Sequence, residues 1–236
     1  MPPQASKADA VVVLSGGMDS TVCAALAVRE HGPEKTAALH ISYGQRTEAR
    51  EQQAFRAICE RLDIRTQLMF RTPFFRAIGG SALTDEQLDV PDAGPEIGAE
   101  IPVTYVPFRN AHFLSAAASW AEVLGARRIY IGAVQQDSSG YPDCRPEFYR
   151  AFGEAIRTGT RDGAIHIETP LIGLRKSEIV TLGLELGAPF DLTWSCYSRV
   201  DQACGACESC VLRLRAFAAA GAQDPIPYLA PASSHS

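Results

Sequence analysis

The sequence predicts an α/β protein with a doubly wound, mostly parallel sheet and a C-terminal metal-binding knuckle. Three observations lead to this prediction. Short apolar runs alternate with helical periodicity, a glycine-rich loop follows the first run, and four cysteines cluster near the end of the chain. Alternating strands and helices are typical of a parallel sheet covered on both faces. Ligands of such sheets bind at the carboxyl ends of the strands.

The alternation extends over most of the 236 residues. Runs typical of buried strands occur at residues 11–14, 36–42, 66–70, 128–132 and 165–168. Apolar side chains recur at helical spacing in residues 21–29, 46–62, 110–124, 146–157, 176–186 and 207–220. Asparagine is a favoured N-cap residue, so we expect Asn110 to cap the third of these helices.

Two stretches lack this regularity. Residues 72–108 are rich in proline, glycine and acidic side chains and show little periodicity. A segment of this length without regular structure is usually functional or mobile. Residues 221–236 are rich in proline, alanine and serine, and we expect them to form a flexible tail.

Composition and charge exclude several classes of function. The formal net charge is −5, so we expect no stable nucleic-acid binding, which needs clustered lysine and arginine. No apolar run approaches the roughly 20 residues that a membrane-spanning helix requires. The first ten residues lack an apolar stretch after a basic start, so we expect a cytoplasmic protein. In that reducing compartment, the seven cysteines favour metal binding over disulfides.

The loop Ser15-Gly16-Gly17-Met18-Asp19-Ser20 lies between the first predicted strand and the first predicted helix. Adjacent glycines let the backbone turn sharply and approach a phosphate, and the following helix offers free N–H groups. Asp19 can hold a Mg²⁺ ion that contacts the phosphates. With flanking Leu14 and Thr21, the loop is a candidate ATP pyrophosphate site. It lacks the ending of a Walker loop, and the alternative is a tight strand-to-helix turn.

The cysteine cluster comprises Cys196, Cys204, Cys207 and Cys210. Four thiolates in a closed set indicate structural Zn²⁺, and a [4Fe–4S] cluster is the competing interpretation. Cys23 and Cys59 fall in predicted helices and are expected to be plain buried thiols. We therefore expect a nucleotide-binding α/β domain at residues 8–190, a zinc-binding segment at residues 191–220 and the tail beyond.

Further polar residues follow the other predicted strands. His40, Tyr43 and Gln45 lie at the end of the second strand, where they can contact adenine or ribose; an ordinary turn is the alternative. Arg109 can bind a phosphate or a carboxylate. Lys176 can neutralise ATP phosphates, although such a lysine is more often a solvated helix cation.

The loop after the fourth strand is a candidate substrate site. Its polar members are Asp137, Ser139, Gly140, Tyr141 and Asp143. Carboxylates accept hydrogen bonds from the amidine edge of a planar heterocycle, and a tyrosine ring can stack on it. A solvated surface loop is the alternative interpretation.

Taken in order, these motifs resemble the 7-cyano-7-deazaguanine synthases of queuosine biosynthesis, within the superfamily of N-type ATP pyrophosphatases. The resemblance covers about residues 10–220 and is most specific in the segment from Ser139 to Arg145. The glycine loop alone indicates only the wider superfamily. The other shared motifs are Tyr43 to Arg46, Arg109-Asn110, Asp137, Thr169 to Leu171, Lys176 and the four cysteines.

The resemblance implies an adenine nucleotide alpha hydrolase-like fold and a two-stage reaction. ATP adenylates the carboxylate of 7-carboxy-7-deazaguanine, ammonium supplies nitrogen for an amide, and a second ATP converts the amide to the nitrile. It also implies ATP, Mg²⁺ and Zn²⁺ as cofactors, catalytic roles for Asp19, Lys176 and Arg109, and a homodimer. The zinc would hold the C-terminal segment against the active site.

The sequence departs from the family at two places and leaves three alternatives open. Phe108 stands where the family more often has glycine, and Gln135-Gln136 replaces smaller or more acidic residues. These changes bear on substrate identity and on the stopping point. The alternatives are a relative that stops at the amide or conjugates the deazaguanine, a sulfur-inserting tRNA-modifying pyrophosphatase, and a non-catalytic zinc module.

Overall fold

The computed structural model describes residues 7–94, 101–135 and 140–229. Within these ranges it contains a five-stranded sheet in which every pair of neighbouring strands is parallel. The strands are β1 (Ala10–Val13), β2 (Thr36–Ser42), β3 (Thr66–Arg71), β4 (Arg128–Ile131) and β5 (His166–Glu168). Their order across the sheet is β3-β2-β1-β4-β5. The doubly wound α/β prediction is confirmed, and the strand bounds agree within one residue.

The helices are α1 (Met18–His31), α2 (Glu48–Arg61), α3 (Phe74–Ile78), α4 (Arg109–Leu124), α5 (Pro146–Gly159), α6 (Lys176–Glu185) and α7 (Glu208–Ala219). Helices α1, α2, α6 and α7 pack on one face of the sheet, and α4 and α5 on the other. None of the described helices is both long and apolar enough to cross a membrane.

The central strand β1 explains the two faces. All four of its residues are buried, and successive side chains point to opposite sides of a strand. Val12 therefore packs in the core beneath α1, whereas Val11 and Val13 pack in the core beneath α4. A strand covered on both faces must be apolar throughout, which is why its sequence has no polar alternation.

The direction in which successive strands are added to the sheet reverses at β1. Strands β2 and β3 lie on one side of it and β4 and β5 on the other. The connections on the two sides run over opposite faces, so a crevice opens between the carboxyl ends of β1 and β4. Ligands of doubly wound sheets bind at this switch point, and the glycine loop begins there.

The start of α4 differs from the prediction. Phe108 occupies the N-cap position in a left-handed conformation (φ 57°), and Asn110 is the second residue of the helix. Asn110 is therefore not the cap. Its backbone N–H instead donates to a carboxylate oxygen of Asp143 (2.9 Å), and its side-chain amide donates to the Asp143 carbonyl (2.9 Å). A carboxylate distant in sequence thus satisfies the helix terminus, which local propensity does not predict.

The described part of residues 72–108 contains α3, turns and one isolated antiparallel bridge between Asp92 and Cys207, and little other regular structure, as its composition predicts. Arg46 holds this segment in place. Its Nε donates to the carbonyl of Ala82 (2.7 Å) and its Nη2 to the carbonyl of Asp85 (3.0 Å). Side-chain donors on backbone carbonyls thus take over part of the role of a strand ladder here.

The described part of the C-terminal tail is packed rather than loose. The Asp224 carboxylate accepts hydrogen bonds from Nε (2.7 Å) and Nη2 (2.8 Å) of Arg213. It also accepts one from the Tyr228 hydroxyl at 2.7 Å. Residue 203 pairs with this segment, since its N–H donates to the Pro227 carbonyl (2.8 Å). The side chains of Arg213 and Asp224 are only 2% and 4% exposed. This ion pair secures the tail to α7.

We predict that Asp224→Asn lowers the free energy of unfolding by about 3–5 kcal/mol, because it leaves the buried Arg213 cation without its counter-charge. Urea denaturation followed by circular dichroism measures the loss. Asp201→Asn is the matched control, since it removes one partner of the exposed Arg199–Asp201 pair and should change stability little. Equal, small effects in both variants would contradict the role of the buried pair.

Candidate active site

A cavity of about 260 Å³ opens at the switch point, between the ends of β1 and β4. Its size is close to the lower end of the range for small-molecule sites. Many of the predicted site residues line it: Leu14, Ser15, Gly17, Met18, Asp19, Ser20, Tyr43, Arg109, Tyr141 and Lys176. Gly16, Thr21, His40, Gln45, Gly140 and Asp143 lie outside its lining, and Asp137 and Ser139 fall outside the described residues.

The glycine loop is packed so closely that side chains are excluded at two points. At Gly16 (φ +93°), a Cβ atom would lie 2.9 Å from the Glu51 carbonyl oxygen of α2. At Gly132, which follows β4, a Cβ atom would lie 2.7 Å from the Ser20 nitrogen. The loop is therefore held between α2 and the end of β4, which fixes the direction of its N–H groups.

Hydroxyl groups order the start of α1. The Ser20 hydroxyl donates to the Gly17 carbonyl (3.0 Å) and lies 3.0 Å from the Ser15 hydroxyl. Thr21 donates its hydroxyl to the same carbonyl at 2.8 Å. Gly17 precedes the helix with no side-chain cap, so the first N–H groups of α1 lie at the cavity with the positive end of the helix dipole. This arrangement suits an anionic group.

Asp19 and Lys176 form an ion pair in the cavity wall, with Nζ 2.6 Å from Oδ2. The other carboxylate oxygen of Asp19, Oδ1, is buried and has no hydrogen-bond partner among the described residues. A buried, unsatisfied carboxylate oxygen is costly, and a hard divalent cation prefers such an oxygen ligand. Asp19 therefore fits a Mg²⁺ ion.

Arg109 presents a buried cation from the start of α4. Its Nη1 donates to the Tyr43 hydroxyl (2.8 Å), and its guanidinium lies over the rings of Tyr43 and Phe113. Burial by itself lowers the pKa of Arg109, but the surrounding Tyr43, Tyr141 and Asp143 raise it overall, so the group stays protonated. Its Nε has no partner among the described residues. An arginine with an unused donor at a cavity can bind a carboxylate or phosphate.

His40 and Gln45 lie behind the cavity wall. His40 is 1% exposed, and burial lowers its pKa. Its neutral ring places Nδ1 3.1 Å from the Leu14 carbonyl, to which Nδ1 donates. Gln45 accepts the Tyr43 N–H and donates to a carboxylate oxygen of Glu51, both at 2.8 Å. These contacts support the loop and the turn after β2, and direct contact with a nucleotide stays a prediction.

The loop after β4 divides its predicted residues between two positions. Tyr141 lines the cavity, and its hydroxyl lies 3.1 Å from that of Thr104. Asp143 is 3% exposed and bonded to the start of α4. Gly140 has φ +73°, a conformation that favours glycine. The role of this loop in substrate binding stays a prediction.

The four predicted cysteines form one cluster, with sulfur atoms within 4.8 Å of one another. The Sγ atoms of Cys204 and Cys210 are 3.8 Å apart, the separation of about 3.8 Å that a tetrahedral ion with metal–sulfur bonds of ~2.3 Å requires. The N–H of Cys204 points at the Cys196 sulfur (3.4 Å), and that of Cys207 at the Cys204 sulfur (3.3 Å). The set fits one metal ion.

The cysteine segment is bonded to the glycine loop. The Trp194 N–H donates to the Gly16 carbonyl at 2.8 Å. Tyr197 lines the cavity, and its own N–H is bonded to the sulfur of Cys207. Burial raises the pKa of the Tyr197 hydroxyl, which lies near Tyr141. The metal cluster and the cavity therefore share one short piece of chain.

The cavity also contains residues that the sequence did not single out. They are Glu51, Trp194, Ser195, Tyr197 and Arg213. Ser195 and Tyr197 flank Cys196, so their position beside a predicted metal ligand could have identified them as candidate site residues. Glu51 is a helical carboxylate six residues after Gln45, and nothing in its spacing distinguishes it from Glu48.

The chain matches the model of one protein family, described as "Queuosine biosynthesis protein QueC", over residues 9–221. Two relatives, both named 7-cyano-7-deazaguanine synthase, are similar over nearly their whole length. One, from Koribacter versatilis, is 73% identical over 96% of this chain and 95% of its own. The other, from Acidobacterium capsulatum, is 68% identical over 93% of this chain and 96% of its own.

Similarity to a solved structure is much weaker. NMN synthetase from Francisella tularensis matches with a TM-score of 0.45 and 18% identity, over 79% of this chain and 64% of that chain.

We predict that Gly132→Ala displaces the glycine loop, because the added methyl group would lie 2.7 Å from the Ser20 nitrogen. The affinity for ATP, measured by calorimetry, should fall by roughly tenfold or more, since closely packed interiors transmit such displacements. Gly159→Ala is the matched control, because nothing lies within 4 Å of its Cβ position. Unchanged affinity in Gly132→Ala would show that the loop has room to adjust.

We predict that Cys204→Ser releases the metal and also weakens ATP binding, because the segment that carries Cys196 is bonded to Gly16 through Trp194. Elemental analysis measures the metal and calorimetry measures the nucleotide. Cys144→Ser, which changes a thiol outside the cluster, should keep the metal. Full metal content in Cys204→Ser would exclude Cys204 as a ligand.

Proposed function

The chain belongs to the queuosine biosynthesis protein QueC family, and from that premise we propose that it converts 7-carboxy-7-deazaguanine and ammonium to 7-cyano-7-deazaguanine in an ATP-dependent reaction. The observation that carries this proposal is the Asp19–Lys176 pair beside the glycine loop, at the switch point of a parallel sheet. That arrangement supports a site for the phosphates of ATP. The name of both relatives, 7-cyano-7-deazaguanine synthase, supports this product.

The first stage activates the carboxylate. A carboxylate is a poor electrophile, and transfer of AMP to it replaces a poor leaving group with a good one. The reaction needs placement of the two reactants and stabilisation of charge on the departing pyrophosphate. The N–H groups of the loop from Ser15 to Ser20 and the ammonium group of Lys176 supply that charge stabilisation. Leu14 and Thr21 hold the two ends of this loop.

Asp19 would hold Mg²⁺ through its unsatisfied Oδ1, and the ion would add positive charge beside the phosphates. When a phosphate is bound, the Lys176 ammonium group can donate hydrogen bonds to either Asp19 or the phosphate. Its pairing with Asp19 keeps the lysine in the cavity wall until ATP arrives.

The second stage forms the carbon–nitrogen bond. Ammonia attacks the acyl carbon, AMP departs and an amide results. A second ATP then adenylates the amide oxygen, and loss of AMP leaves the nitrile. The same loop and the same lysine serve both adenylations, because each produces pyrophosphate.

The deazaguanine would bind on the side of the cavity formed by Arg109 and Tyr141. The unused Nε of Arg109 is suited to the substrate carboxylate, and Tyr141 can stack on the heterocycle. We assign Asp137, Ser139, Gly140 and Asp143 to the recognition of its polar edge. We assign His40, Tyr43 and Gln45 to the nucleotide side, behind the glycine loop.

The four cysteines would hold Zn²⁺ as a closed, structural set. The separation of 3.8 Å between two sulfurs supports one ion rather than a [4Fe–4S] cluster, whose irons hold their cysteine ligands further apart. The division into a nucleotide-binding domain (8–190) and a zinc segment (191–220), a homodimer and a cytoplasmic location complete the proposal.

Incubation of the purified protein with 7-carboxy-7-deazaguanine, ammonium, Mg²⁺ and ATP should release AMP and yield the nitrile. Mass spectrometry identifies the product and chromatography measures AMP. Accumulation of the amide alone would indicate an enzyme that stops before the second adenylation. The absence of AMP would overturn the proposal.

Asp19→Asn should reduce AMP release by at least about 100-fold, because it removes the charge that pairs with Lys176 and that would hold Mg²⁺. Asp9→Asn is its control, since Asp9 is exposed next to the opposite end of β1. Comparable activity in the two variants would argue against Asp19 as the magnesium anchor.

A further inference from the structure

Glu51 is a carboxylate in the cavity that the adenylation chemistry does not use. It lies on α2 and lines the same cavity as Asp19, Arg109 and Tyr141. Its backbone carbonyl contacts Gly16, so the residue is adjacent to the glycine loop. A negative side chain repels the phosphates of ATP and the carboxylate of the substrate. A negative charge at this position favours a cation as the ligand.

The partners of Glu51 leave its charge incompletely neutralised. Gln45 Nε2 donates to Oε2 and the Thr47 hydroxyl to Oε1, each at 2.8 Å, and both donors are neutral. None of the ion pairs found among the described residues involves Glu51. Each oxygen of a carboxylate has two lone pairs, so each keeps one acceptor site for a further donor.

The charged groups around Glu51 act in opposite directions. Burial raises the pKa of Glu51, and Glu48 on the same helix raises it further, whereas Gln45, Thr47 and the Arg109 cation of α4 lower it. The Glu51 carboxylate in turn contributes to raising the pKa of Tyr43, which follows β2. A carboxylate with a raised pKa is a better proton acceptor than an exposed one.

We infer that Glu51 binds the ammonium ion that the reaction consumes and accepts a proton from it as the carbon–nitrogen bond forms. This inference rests on the proposed function and adds a binding site and a catalytic base to it. Ammonium is a small cation with N–H donors only, which matches a pair of carboxylate oxygens with one free acceptor site each.

The proposed step balances. One N–H proton of ammonium passes to the Glu51 carboxylate, and the freed electron pair forms the bond to the acyl carbon of the adenylate. The bond between that carbon and the AMP oxygen then breaks, and AMP leaves with the electron pair. A second nitrogen proton passes to the AMP phosphate, and Glu51 returns its proton to water. No oxidant or reductant is required.

Glu51→Gln tests the step, because it keeps the shape and removes the base. Formation of the adenylate, followed without ammonium as substrate-dependent exchange between ATP and pyrophosphate, should stay close to wild type. Amide formation from ammonium should fall about 100-fold. Hydroxylamine, which is neutral near pH 7 and needs no deprotonation, should restore the rate and yield the hydroxamate.

Glu60→Gln is the matched control, because Glu60 is exposed near the far end of the same helix and lies outside the cavity lining, so both reactions should stay at the wild-type rate. Wild-type use of ammonium by Glu51→Gln would overturn the inference. Loss of the exchange reaction in that variant, with no rescue by hydroxylamine, would also overturn it, because Glu51 would then only support the loop. If the wild-type protein shows no exchange, the proposed function fails instead.

The unmodified enzyme provides a second test that does not depend on a variant's folding. If ammonium itself binds, the KM for total ammonium should be nearly constant between pH 7 and 8. If only free ammonia enters, that KM should fall about tenfold per pH unit as the pH rises. The second result would overturn the inference.

Discussion

The structure depends on one steric constraint, which is the absence of side chains where the glycine loop meets its neighbours. Gly16 and Gly132 bring the loop against α2 and the end of β4, with Cβ positions only 2.9 and 2.7 Å from backbone atoms. The Gly16 carbonyl also accepts the Trp194 N–H from the cysteine segment. The loop is therefore supported from three sides. Such support fixes N–H donors before a ligand binds, which is what electrostatic stabilisation of a leaving group requires.

The parts of the molecule predicted from the sequence are those governed by local rules. The apolar run at Val11 to Val13 marks a strand covered on both faces, and the glycines after it mark a sharp turn. The four cysteines are close in sequence, which predicts that they share one site, and their sulfurs lie within 4.8 Å of one another. In these cases the neighbours in sequence are also the neighbours in space.

Sequence-based prediction was wrong where the hydrogen-bond or ion-pair partner of a residue lies in a distant segment of the chain. Asn110 looks like an N-cap, but the carboxylate of Asp143 reaches the start of α4 and takes that role. The tail beyond Gly221 has a composition typical of a flexible segment, yet in its described part, up to residue 229, Asp224 pairs with the buried Arg213. Glu51 was overlooked because a carboxylate on an amphipathic helix is normally solvated. Only the packing of α2 against the loop turns it toward the cavity.

The charged side chains of the cavity differ in whether they already pair with an opposite charge. Three cations line one small space, Lys176, Arg109 and Arg213, together with two carboxylates, Asp19 and Glu51. Arg213 already pairs with Asp224. Lys176 and Asp19 neutralise each other directly at 2.6 Å, whereas Arg109 donates to the Tyr43 phenol and Glu51 accepts from neutral groups. The charges of Lys176 and Asp19 therefore neutralise each other before ligands arrive, whereas Arg109 and Glu51 have no ion-pair partner among the described residues. A carboxylate substrate and an ammonium ion carry opposite charges, so Arg109 and Glu51 would hold them side by side, which is the placement that amide formation needs.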